Sequence, residues 1–506
     1  MNKVILRRII VLSILVFVLT PIIGMSSLSC AQREEEPSDE SETFAGETET
    51  ESESRAVADL PETDFDGRTF RIFGRENTTY SQFSNFEFYA ESEDGEVVND
   101  AVYARNRTIE EKYNIKTEQT LLDDTTGHLK KIVASAEDVY DIAALHGFTN
   151  VSSMAVGGYL CDLNQVNHID FTKPWWNTDV NAALSFAGKL YYTTSDYLLL
   201  DKQRTYILIF NKKIIEDYSL GNLYQTVFDG KWTADAMLSM IDKVSSDIDG
   251  DGKMTDLDMY GLGMDSYLSF YTFYIALGGT ITGLDENGLP VLTMNNDRNI
   301  SVIDKVIDLT CNTDTALFCD DFSGKVDYDY WAVTSNVFYA GRELFLSAFP
   351  HSLKSISANT DIDFDYGVVP FPKYDQSQEK HLTIPDNYHS MVLTIPVTNT
   401  DTDFAGFMLE ALSAESRYTT LPAYYEVSCK TKYTYDEESA RCLDIIFSGI
   451  TYDLGSIYDW GMISNLIKNT IPLKKENIFA SEYAKREPKA LTDMQKTIDE
   501  FLSAGE

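Results

Sequence analysis

Alternation of apolar and polar residues marks a first strand over residues 68–73 (RTFRIF), and Gly74 stops it. Residues 100–113 switch to helical spacing, and 115–121 return to a strand. A second helix is predicted over 130–137, followed by a short apolar strand, VYDIAAL, over 139–145 that closes on His146 and Gly147. Gly157 and Gly158 break the pattern, and Gly188 opens a turn into a predicted strand over 189–193. The strongest apolar run is TYILIF, 205–210; helices follow over 213–218 and 233–244 and resume over 301–310. Short apolar strands recur over 343–349, 366–370 and 389–396, and the chain from Thr402 onward is helical. Strand and helix alternate through most of the chain, which predicts α/β layers with parallel or mixed sheets. No repeat of about 20–50 residues is evident.

The first 66 residues are of another kind. Lys3, Arg7 and Arg8 precede an apolar run over 9–23 and then small residues up to Cys30. The run is short of the ~20 residues a spanning helix needs, and Pro21 and Gly24 interrupt its end. Residues 1–30 therefore read as a lipoprotein signal peptide, with Cys30 as the acylated residue after cleavage. Ser27 stands where a lipobox usually carries leucine, so ordinary cleavage near Ser29 is the alternative. Between residues 31 and 66 there are fourteen acids against Arg33 and Arg55. Such a stretch cannot bury enough apolar surface to offset its ordering entropy, so 31–66 is expected to be a disordered, extended linker. The folded part would then sit on the extracellular face of the cell membrane, lipid-anchored.

About 440 residues remain, more than one ordinary core holds, and two domains are the prior. The net charge of −39 leaves the body strongly acidic. That excludes nucleic-acid binding by phosphate neutralisation and makes a neutral ligand easier to hold than an anionic one. Aromatics at 12% of the chain favour stacking chemistry. Beyond Cys30 there are five cysteines; Cys311 with Cys319, or Cys429 with Cys442, could pair, but an odd count speaks for buried apolar thiols. No G-x-S-x-G, H-E-x-x-H or P-loop is present, so hydrolase and ATPase chemistry has no signature here.

The order of motifs in the body resembles the extracellular solute-binding proteins of ABC importers, in the group that includes maltose-binding protein. The matching segments, in order, are the strand at Tyr140 to Ala143, GGYLCDLN (157–164), GKLYY (188–192), YILIFNKKIIED (206–217), KWTADAM (231–237), FYAGRELFLSAFP (338–350), YGVVPFPK (366–373) and TDTDFAGFMLEAL (400–412). GEVVNDAVYARNRTIEEKYNI (95–115) and KPWWN (173–177) are similar to segments of lipoproteins of anaerobic Gram-positive bacteria. The resemblance runs from residue 67 to the C-terminus. It implies a two-lobed, type II periplasmic-binding-protein-like α/β fold with a hinge and an interlobe cleft. Lobe 1 would comprise 67–202 with about 390–425, and lobe 2 would comprise 203–389 with the C-terminal helices of 426–506. The chain would cross between lobes near 200–206 and return near 387–391. Ligand capture would be hinge closure, read out by ABC permease subunits, with the protein a monomer and no catalysis of its own.

In such folds ligands meet loops at the C-terminal ends of strands. That selects Arg75 and Glu76, His146 and Phe148, Asp196 and Tyr197 with Ser195, His351 with Phe349 and Pro350, and Asn387 and Tyr388. Trp460, with Tyr458 and Asp459, falls where sugar-binding members carry a stacking aromatic. Aromatic faces with Asp, Asn, Glu and Arg suit a carbohydrate, most simply an oligosaccharide. For each aromatic, core packing is the alternative; Trp175 and Trp176 fit either role, and Trp232 fits packing. A peptide ligand and a secreted glycoside hydrolase are the rival readings, the latter needing a defined carboxylate pair that 80 acids make impossible to single out.

One local motif is more specific. Asp247, Asp249 and Asp251 stand at positions 1, 3 and 5 of a calcium-type loop, Gly252 at 6, Lys253 at 7 with its carbonyl, and Asp258 at 12 in place of the usual Glu. A structural Ca²⁺ is expected there, with an acidic surface turn as the alternative.

Overall fold

The computed structural model describes residues 55–425 and 436–503. The leader, Cys30, the acidic stretch up to Ser54 and Cys429 lie outside these residues. Eleven strands are present among them: β1 (Arg68–Arg75), β2 (Ile115–Leu122), β3 (Ile142–His146), β4 (Ile207–Asn211), β5 (Tyr260–Met264), β6 (Thr282–Leu284), β7 (Pro290–Leu292), β8 (Ala316–Phe318), β9 (Glu343–Ala348), β10 (Tyr366–Val369) and β11 (Met391–Thr394).

They form two main sheets, each flanked by helices, and a small β6–β7 hairpin. The first sheet has the order β11-β3-β1-β2, with β1 parallel to β2 and β3, and β11 antiparallel to β3. The second has the order β10-β4-β9-β5-β8, parallel from β9 through β5 to β8 and antiparallel at β4. Central strands covered on both faces read as continuous apolar runs rather than alternation, and β4 (ILIFN) and β9 (ELFLSA) are buried throughout.

Local signals set the helix ends. The Glu96 carboxylate accepts the N–H groups of Val98 and Asn99 to start helix Val97–Tyr113, and Asn114 ends it in the left-handed region at φ 49. Asp401 caps helix Thr402–Ser416, which buries almost every side chain under the first sheet. The strand expected over 189–193 is reduced to single bridges at Lys189 and Thr193.

Residues 55–66, expected as the end of the linker, instead pack on the first sheet's helices. Phe65 meets Phe404 and Phe407 edge-to-face at 4.9 and 5.1 Å, its N–H reaches Tyr113 O, and Arg55 pairs with Glu415. Four apolar side chains, Ala56, Ala58, Leu60 and Phe65, anchor a segment whose composition is largely polar.

The chain passes between the sheets along paired segments. Tyr206 N–H donates to Ile384 O, and Asp386 N–H donates to Arg204 O, at 3.0 and 2.8 Å. A third segment joins them, Thr383 N–H to Gly449 O and Thr451 N–H to Thr383 O. The C-terminal helices touch both sides of this junction: Phe501 stacks on Phe186 at 4.1 Å, while Asp453 accepts the N–H groups of Ile281 and Thr282.

Cys161, Cys311, Cys319 and Cys442 are free thiols, so Cys311 and Cys319 are not bridged. Among the described residues no helix is long and apolar enough to cross a membrane.

Candidate functional site: a cleft at the interlobe crossing

Where the crossing segments meet the ends of both sheets, a cavity of about 460 Å³ opens. From the first lobe the loop after β1 contributes Tyr80, Gln82 and Phe83. The crossing itself contributes Arg204, Tyr206, Asp386, Tyr388 and His389. From the second lobe come Asp265 and Tyr267 after β5, Asp320 after β8, and Asp329 and Trp331 from the segment that follows. A larger depression of about 750 Å³ runs along β2 and helix Val97–Tyr113, but only first-lobe residues line it. The smaller cavity draws on loops of both sheets.

Its floor is a charged network. Arg204 Nη2 donates to Asp386 Oδ2 at 2.5 Å, and His389 Nδ1 lies 2.7 Å from the same oxygen. Burial would lift the Asp386 carboxyl, but Arg204 and His389 hold it well below the usual carboxylate range. The Arg204 guanidinium is sandwiched between Phe349 and Phe83, 3.9 and 4.7 Å from their ring centres, and Phe83 stacks on His389 at 3.9 Å. Arg204 is thereby fixed in place, with its charge already spent on Asp386.

The second-lobe wall is acidic. Asp265 accepts the Ser269 hydroxyl at 2.7 Å and the Tyr206 hydroxyl at 3.4 Å, and burial pushes its carboxyl up to about 7. Asp320 accepts the Tyr267 N–H at 2.6 Å, and Asp329 accepts the Trp331 N–H at 3.2 Å. Three aromatic rings face open space around the mouth: Tyr80, Trp331 and Tyr388 are 55%, 53% and 57% exposed. Exposed rings at a cavity rim are platforms for apolar ligand faces.

Of the residues singled out from the sequence, the structure brings only Tyr388 to the cavity wall. His351 stands behind it, its Nδ1 accepting from Arg204 Nη1 at 3.1 Å; burial and the guanidinium push the imidazole down to about 3. Asn387 donates to Ser456 Oγ at 3.1 Å instead of facing the cleft. Arg75 is buried at the end of β1 with its Nε and Nη1 unpartnered, and Glu76 is exposed beside it. His146 is bonded to Thr125 Oγ1 at 2.8 Å, and burial with nearby Arg75 pushes it down to about 4.

Four candidates belong to the interior. Phe148 is buried edge-on against Tyr452, Tyr197 is fully buried against Phe88 beneath Arg105, and Asp196 pairs with Arg417 at 2.9 Å. Trp460 stacks on Tyr458 and donates to Thr497 Oγ1. Trp175, Trp176 and Trp232 are core residues too; Trp176 donates to Glu410 and Trp232 to Pro370 O. The sequence reading missed Tyr80, Phe83, Arg204, Asp265, Trp331 and His389. The usable signal lay in aromatics set in polar, aperiodic stretches, NTTYSQF and DYDYW.

The acidic loop after helix Ala234–Val244 forms a separate feature. Carboxylate oxygens of Asp247, Asp249 and Asp258 lie within 4.8 Å of one another. Asp258 is fully buried; burial would lift its carboxyl, but the Thr255 and Ile248 N–H groups hold it below the usual range. Gly250 and Gly252 take left-handed φ of 74 and 81, which lets the Gly252 N–H reach Asp247. Asp251, expected as a third ligand, accepts the Lys253 N–H at 2.8 Å and stands outside this group.

Two α/β lobes joined by paired crossing segments, with a lined cavity at the junction, define a two-lobed binding-protein architecture. Solved structures agree. A cyclo/maltodextrin-binding protein complexed with maltotetraose matches with a TM-score of 0.53 at 13% identity, over 86% of this chain and 97% of that one. UspC of M. tuberculosis matches at 0.53 and 13%, over 84% and 100%. A sugar transporter from Rhizobium etli in an open conformation matches at 0.53 and 14%, over 85% and 99%. At this identity the likeness establishes the fold, the type II α/β class expected from the motif order. No family model matches the chain, and no curated protein matches it.

Proposed function

We propose that this protein captures an extracellular carbohydrate by hinge closure and delivers it to an ABC permease, without chemical turnover. The observation that carries the reading is the cavity at the crossing segments, where exposed Tyr80, Trp331 and Tyr388 surround polar groups. Sugar rings present apolar C–H faces and planar arrays of hydroxyls, which need rings and carboxylates in combination. Solved neighbours of the same fold include maltodextrin and sugar binders, which supports the ligand class. Acylation at Cys30, with the acidic stretch as spacer, would keep the receptor near its permease. The lobes are taken as 67–202 with 390–425, and 203–389 with the C-terminal helices.

The loop at Asp247, Asp249 and Asp258 is proposed to hold a structural Ca²⁺. The donor set supports this: three carboxylates converge on all-oxygen ligation, which suits a hard cation.

The test is a thermal-shift screen of saccharides and peptides followed by calorimetry and product analysis. Saccharides that raise Tm and are recovered intact support the reading. Cleaved products would replace it with a hydrolase, and stabilisation by peptides alone with a peptide receptor.

A further inference from the structure

We propose that the cleft selects a positively charged saccharide, one carrying a free, protonated amine, over neutral or anionic sugars. This rests on the carbohydrate reading above and narrows it.

The argument is a charge inventory of one cavity. Its acids are Asp265, Asp320, Asp329 and Asp386; among the described residues its only permanent cation is Arg204. Arg204 and His389 both spend themselves on Asp386, and two phenyl rings hem the guanidinium in, so neither base is free to meet a second anion. Of the cations outside the wall, Lys475 pairs with Asp321 at 2.7 Å, and Arg75, 3.9 Å from Asp123 with its Nε and Nη1 unpartnered, stands at the end of β1 and not on the acidic second-lobe wall. Among the described residues Asp265, Asp320 and Asp329 form no ion pair; Arg204 and Lys475 act on Asp265 and Asp320 only from a distance, and the hydrogen bonds of the three acids come from hydroxyl or backbone donors.

Closure would take these carboxylates further from water, which strengthens their mutual repulsion. Neutral hydroxyls can satisfy carboxylate lone pairs but do not relieve that repulsion, whereas an ammonium group does both. The exposed faces of Trp331, Tyr80 and Tyr388 add cation–π surface at the mouth. A uronic acid or sugar phosphate meets like charge on the whole second-lobe wall. Asp265 contributes further, because its raised carboxyl is returned to the ionised form by an adjacent cation.

The experiment titrates the protein with a panel of matched oligosaccharides in several linkages. Each is supplied with a free amine, with that amine acetylated, and with a hydroxyl in its place. The free-amine form is expected to bind about tenfold or more tighter than both counterparts, with the advantage shrinking as salt is raised. Asp265→Asn and Asp329→Asn, each checked for unchanged circular dichroism, are expected to reduce that advantage, read as the ratio of free-amine to hydroxyl affinity within each variant. A neutral sugar that binds as tightly as its amine overturns the charge selection and leaves the carbohydrate reading standing. Binding by no saccharide in the panel, with basic peptides binding instead, overturns both.

Discussion

Arg204 and Asp386 face each other across the two paired segments that carry the chain between lobes, joined by a 2.5 Å hydrogen bond between side chains and a 2.8 Å bond between their backbones. The pair ties the crossing segments together and forms the cleft floor. Their side chains are 6% and 5% exposed, so loss of one partner leaves a buried, uncompensated charge. Asp386→Ala or Arg204→Ala should each destabilise the protein by about 3–5 kcal/mol. The double change to apolar residues should recover much of that, and thermal melts of the three variants decide it. If the double variant is as unstable as the sum of the singles, the pair is not the unit described here.

Trp331 offers the opposite contrast. It is 53% exposed, and its ring lies tilted against its sequence neighbour Tyr330 at 4.8 Å. Trp331→Ala should shift stability by no more than about 0.5 kcal/mol and weaken saccharide binding about tenfold or more. Trp460→Ala, which empties a buried site and strips a donor from Thr497, should do the reverse: a stability loss of about 3–5 kcal/mol, seen as a lowered Tm, with affinity per folded molecule retained. Calorimetry on both variants distinguishes the roles, and an unchanged affinity in Trp331→Ala would remove it from the site.

Those two tryptophans show what was legible in the sequence. Apolar runs carried β3, β4, β9, β10 and β11, because strands covered on both faces are written as unbroken apolar stretches, and β1 was read from alternation; β5 and β8 were missed. The cleft was not legible in the same way. Tyr197 and Trp460 follow predicted strands or loops just as cleft residues do, and only tertiary packing places them in the core. β5 shows the limit from another side. Its YGLGM carries no strand signal, since glycine weakens isolated strands. Yet a Cβ on Gly263 would collide with the Glu343 carboxylate, and one on Gly261 would lie 2.5 Å from the Ile241 Cα. Close approach of neighbours selects those glycines, and a one-dimensional pattern does not contain it.

Calcium should stabilise the second lobe. If the ion binds only the folded loop, Ca²⁺ at a hundredfold excess over its Kd adds about 2.7 kcal/mol. Melts with EDTA should therefore show a lower Tm than melts with Ca²⁺. Asp249→Ala should abolish the difference while keeping the fold, because its carboxylate supports only the Asp251 N–H. Asp258 is unsuited to the test, as it also braces Ile248 and Thr255. Identical melts in EDTA and Ca²⁺ would reduce the loop to an acidic turn.

The pH dependence of stability should reveal Asp265. Its carboxyl is pushed by burial from an ordinary 3.8 to about 7 in the folded protein. Between those values the folded state holds a proton that the unfolded chain has released, so stability falls with rising pH across that window. The contribution is full below about 4 and lost as pH passes about 7. Buried His146, His351 and His381 act with the opposite sign, because their lowered values favour the folded state above 6.5 and penalise it as pH falls toward 4. Total stability against pH mixes the two trends, and a difference between proteins separates them. Asp265→Asn keeps every histidine and cannot titrate. Its Tm relative to the parent should therefore climb steadily from pH 4 to pH 7.5, passing to a plateau above. A difference that stays constant over that range would mean that Asp265 is ionised throughout and that the cleft wall is better hydrated than its burial implies.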